Sequence, residues 1–476
     1  MNPKSERPIL ALLTSHWISL LGAALVTTAV FSWLFVLPSH VHGKASNPYI
    51  GLLIFIYIPV VFFAGLAMMP VGFYLAKKQI TAGLQTTPDR KTTGRRLAIF
   101  FGVTTFLNLL IGTQITYRAV AHMETVQFCG QTCHVMKPEF TAHENTAHSR
   151  VTCTECHVAP GASGWVASKM AGTRQLMGVV FNNYSRPIES AMENNRLVPA
   201  SQTCEECHWP ERTTPVKVRV ISLFKDDEQN TASQTVLSMM VGGGRLGGIH
   251  GSHIGPGIEI RYAASDAKRQ RIPWVEYRNS VTGRTVAYSA ANTKPESIKG
   301  LPVFMMQCVD CHNRPTHTFE LPERAIDSAM AAGFIPATLP FIKKKSVEVL
   351  RTEYTSTEDA TAKIPAAIDR YYRQTYADVY AKRTFEITRA GKALTDIYNR
   401  NVFPDLKVTW GTYPNNLGHT DYPGCFRCHD QEHTAAAGGA SITQDCTVCH
   451  QAVAVEEAAP EVLKTLGVAE HLTQLK

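Results

Sequence analysis

The chain has 476 residues, enough for two or three structural units, with a formal net charge of +8 and only 18% charged residues. That mild basic balance contains no basic run interleaved with stacking aromatics, which excludes nucleic acid as a partner. The twelve cysteines are the informative feature: they fall into six pairs, each followed at once by histidine.

Apolar residues crowd into the first quarter of the chain. Trp17 to Leu37, Tyr49 to Leu75 and Leu97 to Val120 each supply the roughly 20 apolar residues that cross a bilayer core. The prediction is a membrane protein with three N-terminal transmembrane helices in residues 1–120, spanning about 17–37, 49–75 and 97–120. Between the second and third spans lie Lys77, Lys78, Arg90, Lys91, Arg95 and Arg96 against one acid, Asp89, whereas the first connection holds only Lys44. By the positive-inside rule the basic loop is cytoplasmic, so everything beyond about Tyr117 lies on the outer side. The competing reading of the first segment is a cleaved signal; its run is long for that, and cleavage would leave the same final topology. Pro59 and Pro70 predict kinks in the second span, which neighbouring helices can absorb.

The six cysteine motifs follow. They read Cys129-Gly-Gln-Thr-Cys133-His134, Cys153-Thr-Glu-Cys156-His157, Cys204-Glu-Glu-Cys207-His208, Cys308-Val-Asp-Cys311-His312, Cys425-Phe-Arg-Cys428-His429 and Cys446-Thr-Val-Cys449-His450. Five are C-x-x-C-H, the attachment signature of c-type haem. Two thiols form thioethers to the two vinyl groups, and the next residue then reaches the iron. The first motif carries one extra residue between its cysteines and is read as a sixth haem site.

Three other chemistries use paired cysteines. Zinc ligation does not need histidine directly after each pair, and neither do disulfides. A thioredoxin-like pair needs a βαβ frame that this stretch lacks. Histidine is 18 of 476 residues, so six successive placements after a pair do not arise by chance. Haem attachment of this kind takes place outside the cytoplasm, where the loop charges put these motifs.

Each iron also needs a second axial group. Beyond the motif histidines, the outer region offers His122, His143, His148, His250, His253, His317, His419, His433 and His471. That supply suits mostly bis-histidine coordination, which favours electron transfer over substrate binding.

Cys133-His134-Val-Met136, the stretch to His148, and Cys153-Thr-Glu-Cys156-His157-Val-Ala-Pro160 resemble the paired first motifs of the NapC/NirT/NrfH quinol dehydrogenases. The resemblance implies that Met136 takes an axial position, with core packing as its other reading. It also implies that His148 and His317, which trails Cys308-Val-Asp-Cys311-His312, are distal ligands. Lys169, on a helix-like run from Trp165 to Val180, matches a lysine that the family holds near its quinol; a solvated lysine is the alternative. The likeness covers about residues 97–210 and 304–318. Departures are the three spans, the extra residue in the first motif, an insertion and a C-terminal extension. Together, three spans, that core and two further motifs resemble the ImcH group of inner-membrane cytochromes.

The expected organisation beyond the spans is a mainly α, loop-rich multihaem cytochrome c domain with a small β-rich insertion. It divides into a haem core at 121–211 (haems 1–3), the insertion at 212–303, the fourth motif at 304–318, a helical segment at 319–410 and a two-haem extension at 411–476. The insertion alternates like strands in Val216 to Leu223, Ile258 to Tyr262, Trp274 to Arg278 and Thr285 to Tyr288, with a hairpin turn at Val281-Thr-Gly-Arg284. The glycine cluster from Gly242 to His253 lacks the strand-to-helix frame of a phosphate cradle. It is either a close backbone approach to a haem, with His250 or His253 as distal ligand, or a surface loop. In the helical segment Ile368, Tyr371, Tyr372 and Tyr376 are spaced as one packing face. His419 and His433, on either side of the fifth motif, are candidates for the two C-terminal haems.

The function expected is quinol-to-cytochrome electron relay in a bacterial inner membrane, multi-pass, with the haem domain facing the periplasm. Menaquinol and the lipid bilayer are expected partners, with periplasmic c-type cytochromes or a terminal reductase downstream and a homo-oligomer left open. The alternative is a terminal multihaem reductase of a small nitrogen or sulfur oxyanion at an open haem. A structural or sensory role is a third possibility.

Overall fold

The computed structural model describes residues 9–36, 57–84, 86, 89–209, 214–243, 247–435 and 438–466. Lys44, the start of the expected second span at Tyr49, part of the glycine cluster and His471 lie outside the described residues. The chain forms two compact units, Met1–Thr132 and Cys133–Lys476.

The first unit is helical. α1 (Trp17–Val36), α2 (Ile58–Thr81) and α3 (Arg90–Met123) follow one another. Among the described residues two helices are long and apolar enough to cross a membrane, Ile58–Thr81 and Lys91–Met123. α1 packs along α2 through small residues: a Cβ on Gly22 would lie 2.6 Å from the Gly65 carbonyl oxygen, so glycine permits the approach. Polar side chains also join the helices: Ser19 Oγ of α1 donates to the Met69 carbonyl of α2 at 3.1 Å, and Thr28 Oγ1 of α1 donates to Asn108 Oδ1 of α3 at 3.2 Å. Asp89 caps α3 by accepting from the Thr92 amide at 3.0 Å.

In the second unit α4 (Lys137–Glu144) and α5 (Gly161–Val180) precede the strands. β1 (Lys217–Phe224) and β2 (Ala232–Met239) pair antiparallel, and α6 (Gly248–Ile254) follows. β3 (Ile258–Ala263), β4 (Trp274–Asn279), β5 (Arg284–Ser289) and β6 (Val303–Met305) form the body of a second sheet. β4 and β5 close between Asn279 and Arg284, where Gly283 supplies the left-handed backbone at φ 72°. The C-terminal segment then returns. β7 (Thr434–Ala435) adds to β5, and β8 (His450–Glu457) adds to β2, giving the orders β6-β3-β4-β5-β7 and β1-β2-β8. Each sheet thus takes a strand from the segment that carries the fifth and sixth motifs.

Between them, α7 (Pro322–Ala331), α8 (Ile342–Leu350), α9 (Thr357–Thr375) and α10 (Ala377–Asn401) enclose the largest apolar core. Ile326, Leu339, Ile364, Ile368, Tyr372 and Leu394 are fully buried there. Ile368 and Tyr372 stand four residues apart on one helical face, while Tyr371 and Tyr376 are partly buried beside them.

Candidate haem centres

Each cysteine pair sits on a tight helical turn. The second, fourth and sixth are α-turns, and the third and fifth are 3-10 turns. In motifs three to six the histidine amide bonds back to the carbonyl of the first cysteine, as with His312 to Cys308 at 2.8 Å and His429 to Cys425 at 3.1 Å. This closure sets both cysteines and the histidine on one side of the turn, since positions i, i+3 and i+4 share a face. Residues in and around the motifs cap the turns. Glu155 returns to the Thr152 amide at 3.0 Å, Asp310 to the Gln307 amide at 2.7 Å, and Asp445 accepts from the Thr447 amide at 2.9 Å. The first motif differs in a way its length explains: Phe128–Thr132 is a π-helical turn, the usual way to absorb one inserted residue. His134–Met136 is then a 3-10 turn.

The histidines are arranged in facing pairs. Ring centroids are 6.2 Å apart for His157 and His317, 5.9 Å for His148 and His208, and 6.2 Å for His250 and His312. They are 5.8 Å apart for His253 and His429, and 6.0 Å for His419 and His450. Two imidazoles bound to one metal from opposite sides, each at about 2 Å through nitrogen, put their centroids roughly 6 Å apart. Every motif histidine from the second to the sixth therefore faces one ring at the separation a single iron requires. The residues fit haem.

Several rings are fixed for that role. His317 Nδ1 meets the Glu139 carboxylate at 3.1 Å, and Glu139 also takes Arg314 at 3.4 Å. His253 Nδ1 meets the Ile249 carbonyl at 2.7 Å, and His429 Nδ1 the Thr443 carbonyl at 2.8 Å. Orienting one nitrogen in this way leaves the other to a metal. Burial pushes His157, His253, His312 and His317 below the ordinary histidine range, so these rings are held in the neutral, ligating form. Buried Nδ1 atoms of His148, His250 and His450 meet no hydrogen-bond partner among the described residues.

Burial likewise raises the motif thiols, Cys311 to about 11 and Cys428 to about 12. Zinc would need thiolates, and among the described residues no three His, Cys, Asp or Glu side chains converge on one metal position. The thiols also feel one another's charge in motif order. Cys156 is raised by burial and then by Cys204, Cys308 by burial and then by Cys204, Cys311 by burial and then by Cys425, and Cys449 by burial and then by Cys425. Motifs two to six therefore run as a chain of neighbours.

Not every expected ligand joins a pair. His433 is buried, with Nδ1 at 2.9 Å from the Asp430 carboxylate and Nε2 at 2.7 Å from the Ile272 carbonyl. Both nitrogens therefore meet protein oxygens, and among the described residues the ring does not face a motif histidine. Both partners are oxygens beside the fifth motif. Opposed by burial but favoured by hydrogen bonds from His433, the Asp430 carboxyl lies below its ordinary value. His250 and His253, both from the glycine cluster, face two different motifs, His312 of the fourth and His429 of the fifth. His134 and Met136 are exposed, and no histidine ring faces His134 among the described residues. His143 is buried and faces His317 at 6.4 Å, but its Nε2 meets the Val151 carbonyl at 3.0 Å.

Lys169 lies on α5 with its ammonium 5.3 Å from the Trp165 ring centre. None of the twenty residues of α5 is buried, and Val166, Met170, Leu176 and Met177 are exposed. A shallow cleft at its end is lined by Thr173, Arg174, Met177, Gly178, Phe181 and Asn183.

The NapC/NirT cytochrome c family, N-terminal region, matches residues 91–208. The cytochrome c-type protein ImcH of Geobacter sulfurreducens is 37% identical over 451 residues, 92% of this chain and 87% of that protein. No solved structure matches. The chain belongs to the NapC/NirT family of membrane multihaem c-type cytochromes and is a relative of ImcH.

Proposed function

We propose that this electron-transfer cytochrome takes electrons from menaquinol in a bacterial inner membrane and relays them through six c-type haems to periplasmic carriers. The carrying observation is the set of five histidine pairs at single-iron separation. An iron held by two histidines has no position left for a substrate, which suits electron transfer. Haem c, when bound, supplies reversible one-electron exchange at its iron. The twelve motif cysteines hold it through thioethers. His134, His157, His208, His312, His429 and His450 are the proximal ligands. His317, His148, His250, His253 and His419 would hold the irons of motifs two to six together with the motif histidines they face, and Met136 would serve the first.

Three N-terminal spans fit the apolar helices α1, α2 and α3, and the basic residues between α2 and α3 support a periplasmic haem domain. Oxidation of menaquinol to the quinone releases two electrons and two protons. The exposed apolar surface of α5 suits a lipid-soluble quinol, and Lys169 and Arg174 offer hydrogen bonds to its oxygens. Among the described residues no histidine ring faces His134, so the alternative, reduction of a small oxyanion at an open iron, draws its support from the first motif.

The test is reduction of the full-length protein in liposomes by a menaquinol analogue, read from the haem absorption bands, with dithionite as control. Quinol-driven reduction of several haems is expected. Full reduction by dithionite with none by quinol would remove menaquinol from the assignment.

A further inference from the structure

Two positions that the attachment chemistry leaves free, the second intervening residues of motifs four and five, carry buried charged residues joined through the Asp310 backbone carbonyl. Asp310 is 2% exposed and Arg427 is 9% exposed. The Asp310 carboxylate accepts from Arg269 Nη1 at 3.0 Å, from the Tyr262 hydroxyl in a short contact, and from the Gln307 amide at 2.7 Å. Its backbone carbonyl accepts from Arg427 Nη2 at 2.7 Å and from Asn416 Nδ2 at 3.1 Å. Arg427 Nη1 donates to the carbonyl of Arg269 at 2.8 Å, and Nε to the carbonyl of Gly424 at 2.8 Å. Arg269 is itself buried, lies over the Phe304 ring at 3.8 Å, and reaches Asn195 Oδ1 at 2.7 Å.

The charges do not cancel. Asp310 is matched by Arg269, while among the described residues the Arg427 guanidinium meets three backbone carbonyls and no carboxylate. A buried cation in low dielectric acts strongly on its surroundings. Arg427 directly precedes Cys428 in the fifth motif, and its Nη2 bonds the carbonyl of the residue directly before Cys311 in the fourth, so its charge lies beside both motifs. A cation that stabilises added negative charge favours the reduced state of a redox centre beside it.

We propose that Arg427 and Asp310 are positioning residues that lock the fourth centre to the fifth and that the Arg427 charge raises the reduction potential of both. This rests on the haem assignment above and goes beyond it, because it concerns how one pair of neighbouring centres is tuned. The buried cation makes this junction a favoured resting place for electrons on the way to the sixth centre.

The experiment is a potentiometric titration of the full-length haem-loaded protein, wild type against Arg427→Gln, Arg427→Lys and Asp310→Asn, with intact mass reporting the haem count. Arg427→Gln is expected to move the reduction equilibria of two centres about tenfold toward the oxidised form, about 59 mV for one electron. Asp310→Asn is expected to move the same two in the opposite direction, and Arg427→Lys, which keeps the charge, to stay near wild type. Unchanged potentials in Arg427→Gln with haem intact would overturn the proposal. If Arg427→Gln loses haem, Asp310→Asn decides, and unchanged or uniformly shifted potentials there overturn it equally. Wild-type protein without haem at motifs four and five would instead fail the haem assignment, so the two failures are distinguishable.

Discussion

His253 and His429 face each other with ring centroids 5.8 Å apart, although 175 residues separate them in sequence and His250, one turn away on α6, faces His312 at 6.2 Å. One seven-residue helix therefore presents a histidine to each of two motifs, the fourth and the fifth. Substituting each histidine should open a different iron. His250→Ala is expected to convert one centre from low to high spin, His253→Ala another, and the double variant both, as read by electron paramagnetic resonance. Loss of the same centre in both single variants would contradict the pairing.

His433 should behave as a structural residue. His433→Leu removes the ring's bonds to Asp430, which keeps the backbone amides of Glu432 and residue 433, and leaves the Ile272 carbonyl without this donor, at a cost of about 1–3 kcal/mol for that group. A lowered melting temperature with all centres still low spin is expected. A new high-spin signal would return His433 to the list of ligands.

Cys129 begins the motif whose extra residue is taken up as a π-turn. Cys129→Ala together with Cys133→Ala should lower the intact mass by one haem and leave the other five in place. An unchanged haem count in the double variant would mean that the first motif carries none.

Lys169 and Trp165 share the exposed face of α5. If the ammonium hydrogen-bonds the quinol, Lys169→Gln should slow menaquinol-driven reduction about tenfold, in line with the 1.5–3 kcal/mol of a charged hydrogen bond, while dithionite reduction is unaffected. Equal rates in both assays for variant and wild type would assign Lys169 to solvent.

The cysteine motifs were legible because each is a local spacing that folds into a tight turn, which five motifs keep and the first relaxes by one residue. The hairpin at Gly283 and the packing face through Ile368 and Tyr372 were legible for the same local reason: a turn needs its left-handed residue, and a helix repeats near 3.6. Partner choice among the histidines was not legible. It depends on chain segments far apart in sequence, and His433 resembles a ligand until Asp430 and Ile272 are seen on its two nitrogens. β2 was missed because Ser-Gln-Thr-Val-Leu-Ser alternates weakly, and it is held between β1 and β8 from distant parts of the chain. Asp310 and Arg427 looked like free positions inside their motifs, since nothing local marks a charge that will be buried against another motif.

The most direct test of the central claim is an electron cryomicroscopy structure of the full-length, haem-loaded protein in lipid nanodiscs. The expected result is haem joined to cysteine at all six motifs, with iron between His157 and His317, His148 and His208, His250 and His312, His253 and His429, and His419 and His450. Iron bound by His433 or His143, or any of these five pairs without iron between its rings, would contradict the assignment.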